Sequence, residues 1–185
     1  MNKEGKETNP IKRLYIQLCR GGILPIEELR KRGMTIGENT WIGTNKIDYG
    51  HCYLISIGNN VTISSARLLA HDASTKRSLG YSIVGRIDIG DDVFVGADAV
   101  ILPGVCIGNK VIVGAGCVVA KDIPDNSVVV GNPARIISTY DDYVNKNKKK
   151  LEEYPVQNTY FTEKSNLEKM DMKKKLEKCR MGYDM

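Results

Sequence analysis

A parallel β-helix, an all-β solenoid with helices at its two ends, is the fold class that this 185-residue chain predicts. Seven apolar residues stand six apart without a break: Ile83, Ile89, Val95, Ile101, Ile107, Val113 and Val119. Glycine directly follows four of them, at Gly90, Gly96, Gly108 and Gly114. A helix face repeats every 3.6 residues and a strand face every 2, so a strict six belongs to neither. With glycine beside the apolar residue it is a hexapeptide repeat. Aromatic residues are only 6% of the chain and glycine numbers 18, which suits a thin coil better than a thick two-layer core. The rungs of such a coil stack about 4.8 Å apart, and its open ends need caps.

Along the chain, residues 1–8 are expected to be disordered. Asn9-Pro10 then opens a helix whose face is Ile11, Leu14, Tyr15 and Leu18, ended by Gly21-Gly22. A second short helix runs from Pro25 to Gly33. Residues 1–33 are thus an N-terminal helical cap over unpaired strand edges. In the first repeat block Ile36 and Ile42 share one register, while Ile57, Ile63 and Leu69 lie three residues out. The slip falls in Lys46 to Ser56, which holds Asp48, His51 and Cys52. A longer polar break, AHDASTKRSLGYS, runs from Ala70 to Ser82 and reads as an outward loop. Both histidines of the chain sit in or beside these breaks. The coil as a whole spans residues 34–137 with its loop at 70–82, and closes on Val130 to Arg135. Residues 138–185 form a Lys-rich, mostly helical tail. There Ser165 and Glu168 read as a capping box, Leu167, Met170 and Leu176 as apolar anchors, and the Tyr154-Pro155 neighbourhood with Thr159–Phe161 as an extended link.

The net charge of +5 is concentrated in basic runs such as NKNKKK at Asn145 to Lys150, but acidic residues are interleaved in the tail. A solvated helix face is the expectation, with no nucleic-acid partner and no membrane insertion. The most apolar stretch, Val93 to Val119, is interrupted by Asp98, Pro103, Asn109 and Lys110 and does not read as a membrane span. Five cysteines without a CxxC pair, behind an N-terminus reading MNKEGKETNP, suit a reduced, cytoplasmic protein with free thiols.

His71 is the candidate catalytic residue. It follows Leu69-Ala70, where the repeat stops and the loop begins, so the scaffold holds it while solvent reaches it. An imidazole near neutral pKa is a natural general base for a hydroxyl. Asp72 either orients the ring, contacts a substrate or is simply solvated. Cys52 beside His51 is not a nucleophile–base pair, because neighbours on a strand point to opposite faces. With two histidines and no ligand spacing, no metal is required.

The segments HCYLISIGNNVTISSARLLAHDASTK and VGRIDIGDDVFVGADAVILPGVCIGNKVIVGAGCVVAKDIPDNSVVVGNPARII resemble the hexapeptide-repeat acetyltransferases. The combination of AHD, ILPGVCIG, VGAGCVVAKDIP and GNPAR is most similar to the O-acetyltransferases of capsular and other surface polysaccharides. It is also similar to the galactoside, maltose and xenobiotic acetyltransferases. The resemblance covers roughly residues 25–138. It implies a left-handed coil, against the usual right-handed crossover, and a homotrimer with its sites between neighbouring prisms. It implies acetyl-CoA as co-substrate and a carbohydrate acceptor in a surface polysaccharide or its precursor. The catalytic histidine of the family falls on His71, and the oxyanion donor on the backbone near Gly96-Ala97. Coenzyme-binding positions fall on Gly96, Ala97, Gly114, Ala115, Ala120, Lys121, Asn132, Pro133 and Arg135. Lys121 and Arg135 are placed to meet phosphates.

On the acceptor side the candidates are Asp48, His51, Asp72 and Lys76, with His51 read equally as a buried structural residue. Phe94 stands where relatives often carry Trp, which alters the wall behind the thioester. Two other functions stay open at this point: N-acetylation of an amino sugar or sugar nucleotide, and a non-catalytic trimeric scaffold.

Overall fold

The computed structural model describes residues 22–185, so the expected disorder at 1–8 and the helix from Pro10 to Gly21 lie outside the described residues. Contacts divide the chain into two units, residues 1–140 and 141–185. The first is a left-handed parallel β-helix whose short strands, numbered in chain order, build three faces. The first face stacks β1 (Thr35–Ile36), β3 (Ile55–Ile57), β8 (Ile87–Ile89) and β11 (Cys106–Ile107). The second stacks β2 (Trp41–Ile42), β4 (Thr62–Ile63), β9 (Phe94–Val95), β12 (Val111–Val113) and β14 (Ser127–Val130), closed by the antiparallel β15 (Arg135–Thr139). The third stacks β5 (Arg67–Leu68), β10 (Val100–Ile101) and β13 (Val118–Val119).

Inward residues stacked in register build the core, joined by further buried residues such as Ile55, Ile87 and Val111. Ile36, Ile57, Ile89 and Ile107 pair in register on the first face. Ile42, Ile63, Val95, Val113 and Val129 do so on the second, and Leu68, Ile101 and Val119 on the third. Each is buried, so one narrow apolar column is shared rung to rung.

The corners carry a second periodic signal. After an inward isoleucine come Gly58-Asn59-Asn60, Gly90-Asp91-Asp92 and Gly108-Asn109-Lys110. Asn60, Asp92 and Lys110 adopt left-handed φ of 56°, 57° and 53°, where Asn and Asp are the best tolerated after glycine. The residue before each of them links the rungs. Asp91 Oδ1 accepts from the Asn59 N–H at 2.6 Å, Asn109 Oδ1 from Asp91 at 2.8 Å, and Asp125 Oδ1 from Asn109 at 2.6 Å. A Cβ added at Gly58 would lie 2.3 Å from Asp91 Oδ1, so glycine is what lets this ladder close.

Two expectations of register are corrected. Leu68, not Leu69, faces inward, because the turn from the second to the third face is one residue shorter in the early rungs: Ile63 pairs onward at Val95, but Leu68 pairs with Ile101. Ile83 continues the six-residue count yet is 49% exposed, because β6 (His71–Asp72) and β7 (Ile83–Val84) form an antiparallel hairpin outside the coil. That hairpin carries α2 (Lys76–Leu79) and closes where the Gly85 N–H donates to the Ala70 carbonyl at 3.0 Å. The excursion therefore extends past Ser82. Truncating Leu68, which is fully buried, to alanine is expected to cost about 2–5 kcal/mol in chemical denaturation.

At the first rung, α1 (Ile26–Lys31) lays the buried Leu29 on the core. Arg30 Nη2 donates to the Ile36 carbonyl at 2.8 Å, which covers part of the free edge of β1.

The second unit contains all but the first residue of α3 (Tyr140–Glu153), then β16 (Val156–Gln157), α4 (Asn166–Cys179) and β17 (Tyr183–Asp184), with the two strands paired in parallel. The capping box forms: Ser165 Oγ accepts from the Glu168 N–H at 3.3 Å, and Glu168 Oε2 from the Ser165 N–H at 2.8 Å. In that helical phase Glu168, Met172 and Leu176 turn inward, so Leu167 and Met170, expected as anchors, are instead 78% and 68% exposed. Hydrogen bonds from Thr159 and Ser165 hold the Glu168 carboxyl down at about 2. The depressed value means its stabilisation of α4 is present above its ordinary pKa of 4.5 and fades as pH falls toward about 2. Ser165→Ala is expected to cost about 1 kcal/mol, and helix content followed by circular dichroism during acid titration checks both statements. Among the described residues no helix is long and apolar enough to cross a membrane, and Cys52, Cys106, Cys117 and Cys179 are free thiols.

Candidate active site

Both breaks in the repeat leave the coil at one corner, the turn from the third face back to the first. Ile101 and Ile107 are six residues apart there, whereas ten separate Ile47 from Ile57 and twenty-one separate Leu68 from Ile89. Because Ile47 bridges to Leu68, the two insertions start on stacked rungs. This is how residues distant in sequence meet.

The first insertion begins at Asp48, whose N–H donates to the Leu68 carbonyl at 3.0 Å, and continues through Tyr49–Leu54 as two short 3-10 turns joined by a kink at His51. The second begins after the buried Ala70 with His71 in β6. The side chain of Asp48 is only 6% exposed and lies between two imidazoles. Its Oδ1 is 3.2 Å from His51 Nδ1, and its Oδ2 contacts His71 Nδ1. The two rings are 4.6 Å apart at their centroids and tilted by 34°. Burial pushes the Asp48 carboxyl up, but the hydrogen bonds and charge of His71 and His51 outweigh it, leaving the group below its ordinary 3.8. An ionised Asp48 takes the Nδ1 proton of His71 as a hydrogen bond. That tautomer leaves the Nε2 lone pair to accept a proton. The His71 side chain is 37% exposed, so the ring has access to solvent.

The remaining sequence candidates fall in other settings. Asp72 is exposed, and its Oδ1 accepts from the Ser74 N–H at 2.8 Å, which lowers its pKa and ties it to its own loop. Lys76 is exposed at the start of α2. Cys52 is 1% exposed, and burial raises its thiol pKa, the reverse of an activated nucleophile.

Gly96 and Gly114 stack directly behind the paired Val95 and Val113, and a Cβ on Gly96 would lie 2.6 Å from the Ala115 N. The Gly96 N–H is committed to the Val113 carbonyl at 2.8 Å. Ala97 and Ala115 are exposed beside them at the turn from the second to the third face. Ala120 and Lys121 are exposed at the corner that carries His71, beyond β13, and Asn132, Pro133 and Arg135 are exposed around the β14–β15 turn.

The contact between Asp48 and His71 goes beyond the sequence expectation, which places Asp48 on the acceptor side. Its trace in the sequence is that both breaks open at the same corner of the repeat, at Asp48 directly after the inward Ile47 and at His71 three residues after the inward Leu68.

The family of bacterial transferase hexapeptide repeats matches residues 86–121. Protein CapG of Staphylococcus aureus is 37% identical over 143 residues, covering 74% of this chain and 83% of CapG. Galactoside O-acetyltransferase of Escherichia coli is 34% identical over 133 residues, covering 58% of this chain and 64% of that enzyme. The match to another curated relative spans only 56% of its length. Among solved structures, a hexapeptide-repeat-containing acetyltransferase from Vibrio cholerae shares the fold, with a TM-score of 0.51 and 24% identity over 70% of this chain and 89% of that one.

Proposed function

The chain belongs to the hexapeptide-repeat family of acetyl-CoA-dependent acyltransferases, and from that premise we propose that it acetylates a sugar hydroxyl of a surface polysaccharide or its precursor, with His71 as general base. The observation that carries this reading is the buried Asp48 carboxylate on His71 Nδ1, with the ring still open to solvent. A hydroxyl acceptor is favoured by the similarity to an enzyme named for O-acetylation of galactosides.

In this mechanism His71 Nε2 takes the proton of the acceptor hydroxyl as the oxygen attacks the thioester carbonyl. Asp48 stabilises the imidazolium that forms. The C–S bond then breaks, and the imidazolium returns its proton to the departing sulfur, so no acyl-enzyme is needed. The developing oxyanion requires a fixed donor. The family resemblance puts that donor on the backbone at Gly96-Ala97, and because the Gly96 N–H is committed to the coil, the Ala97 N–H takes the role. His71 and Ala97 stand at different corners of one prism, which supports a homotrimer in which a neighbouring copy supplies the second half of each site. The coenzyme lies along the small residues Gly96, Ala97, Gly114, Ala115 and Ala120, with Lys121, Asn132, Pro133 and Arg135 toward its phosphates.

The test is acetyl transfer from acetyl-CoA to a panel of neutral and amino sugars, with the product exposed to mild base. A base-labile ester supports the proposal. A base-stable amide replaces it with N-acetylation.

A further inference from the structure

The geometry points to a transition-metal site formed by Asp48, His51 and His71, at which a bound Zn2+ ion switches the base off. Its inhibitory half rests on the assignment of His71 as base; its binding half does not.

The three residues offer one carboxylate oxygen and two imidazole nitrogens that all lie within 4.8 Å of one another. That is the donor set of a three-ligand zinc site with one position left for water. Zn–N and Zn–O bonds of about 2.0–2.2 Å place tetrahedral ligand atoms about 3.3 Å apart. His51 Nδ1 and Asp48 Oδ1 already stand 3.2 Å apart. The ligands are also held in place by the coil. The Asp48 N–H bonds the Leu68 carbonyl at 3.0 Å, the His51 N–H bonds the Asp48 carbonyl at 3.0 Å, and His71 is paired with Val84 across the hairpin. The negative charge is almost fully buried, while the imidazoles are 28% and 37% exposed, so an ion has a route in past the rings. His51 has no step in the proposed reaction, yet it shares the carboxylate with the base. As a third ligand it has a role.

Inhibition follows from proton bookkeeping on one ring. Neutral His71 carries a single ring proton, held on Nδ1 by Asp48. A metal ion bound at Nδ1 requires that proton to move to Nε2, the atom that must accept the proton of the acceptor hydroxyl. The metallated ring is therefore no base, and the metal acts as an inhibitor.

The test uses the full chain after treatment with a chelator. Zn2+ is titrated calorimetrically, and Co2+ is followed by its visible absorption. One site per chain is expected, with the intense bands of four-coordinate Co2+. His51→Asn and Asp48→Asn, each checked for fold by circular dichroism, are expected to weaken binding by at least about 10–100-fold, the loss that removal of an outer partner alone produces. Cys106→Ser, which replaces an exposed thiol, is expected to leave it unchanged. In the transfer assay the chelated wild-type protein is expected to be fully active, and added Zn2+ to suppress it. Absence of binding, or binding indifferent to both site variants, overturns the site. Zn2+ binding that leaves transfer unchanged overturns the inhibition and counts against His71 as base, while the site stands. Binding is read without turnover, so an inactive protein that still binds Zn2+ here supports the site and refutes only the catalytic reading.

Discussion

Replacing His71 by alanine is expected to lower acetyl transfer by about 10²–10⁴-fold, the usual contribution of a positioned general base. The loss is expected in kcat, with the KM for acetyl-CoA little changed, because the proposed coenzyme positions start at Gly96 and lie on other rungs of the coil. The ring itself is half-exposed and outside the apolar column, so the variant should fold and assemble normally. Steady-state kinetics with a saturating sugar acceptor measure the effect. A variant with the wild-type rate would contradict the mechanism.

Asp48→Asn is expected to produce a loss of similar size, again about 10²–10⁴-fold, although Asp48 touches no substrate in this account. The carboxylate accepts from both imidazoles through separate oxygens. An amide has one oxygen and one NH2 group. Whichever way it turns, one ring meets a donor instead of an acceptor. If that ring is His71, Nδ1 must accept and the proton sits on Nε2, the wrong tautomer for a base. The double variant with His71→Ala is the sharper measurement. Once the ring is gone, the orientation of Asp48 has nothing left to act on, so the double variant is expected to be no slower than His71→Ala alone. Multiplying losses would mean that Asp48 acts independently, for instance on the acceptor.

The sequence made the coil legible because its period is strict where the rungs are regular. From Ile89 to Val119 every apolar residue at the six-residue spacing is inward-facing and buried. It misled where the count continued by coincidence. Ile83 keeps the spacing but belongs to a hairpin, since periodicity records distance along the chain and not whether the chain has left the scaffold. Leu69 failed for a related reason: one corner of the early rungs is a residue shorter, so Leu68 is the inward neighbour of Ile101. In the tail the capping box was readable because its two residues are local to one turn. The choice of inward face at Leu167 and Met170 was not, because it depends on what packs across the helix.

The candidate site was half legible. His71 stood out by its place at the end of a repeat block. The bond to Asp48 depends on two insertions opening at one corner of successive rungs, and that follows only once Ile47 is known to bridge to Leu68. Both insertions were visible as breaks, but their alignment required the register.

The central claim is that this is an acetyl-CoA enzyme whose base is separate from its coenzyme groove. Calorimetric titration of acetyl-CoA into the wild-type protein and into His71→Ala tests it most directly. The account predicts saturable binding by both with closely similar affinity. No binding by either, from protein shown to be folded and assembled, would contradict it and leave a scaffold without a coenzyme site.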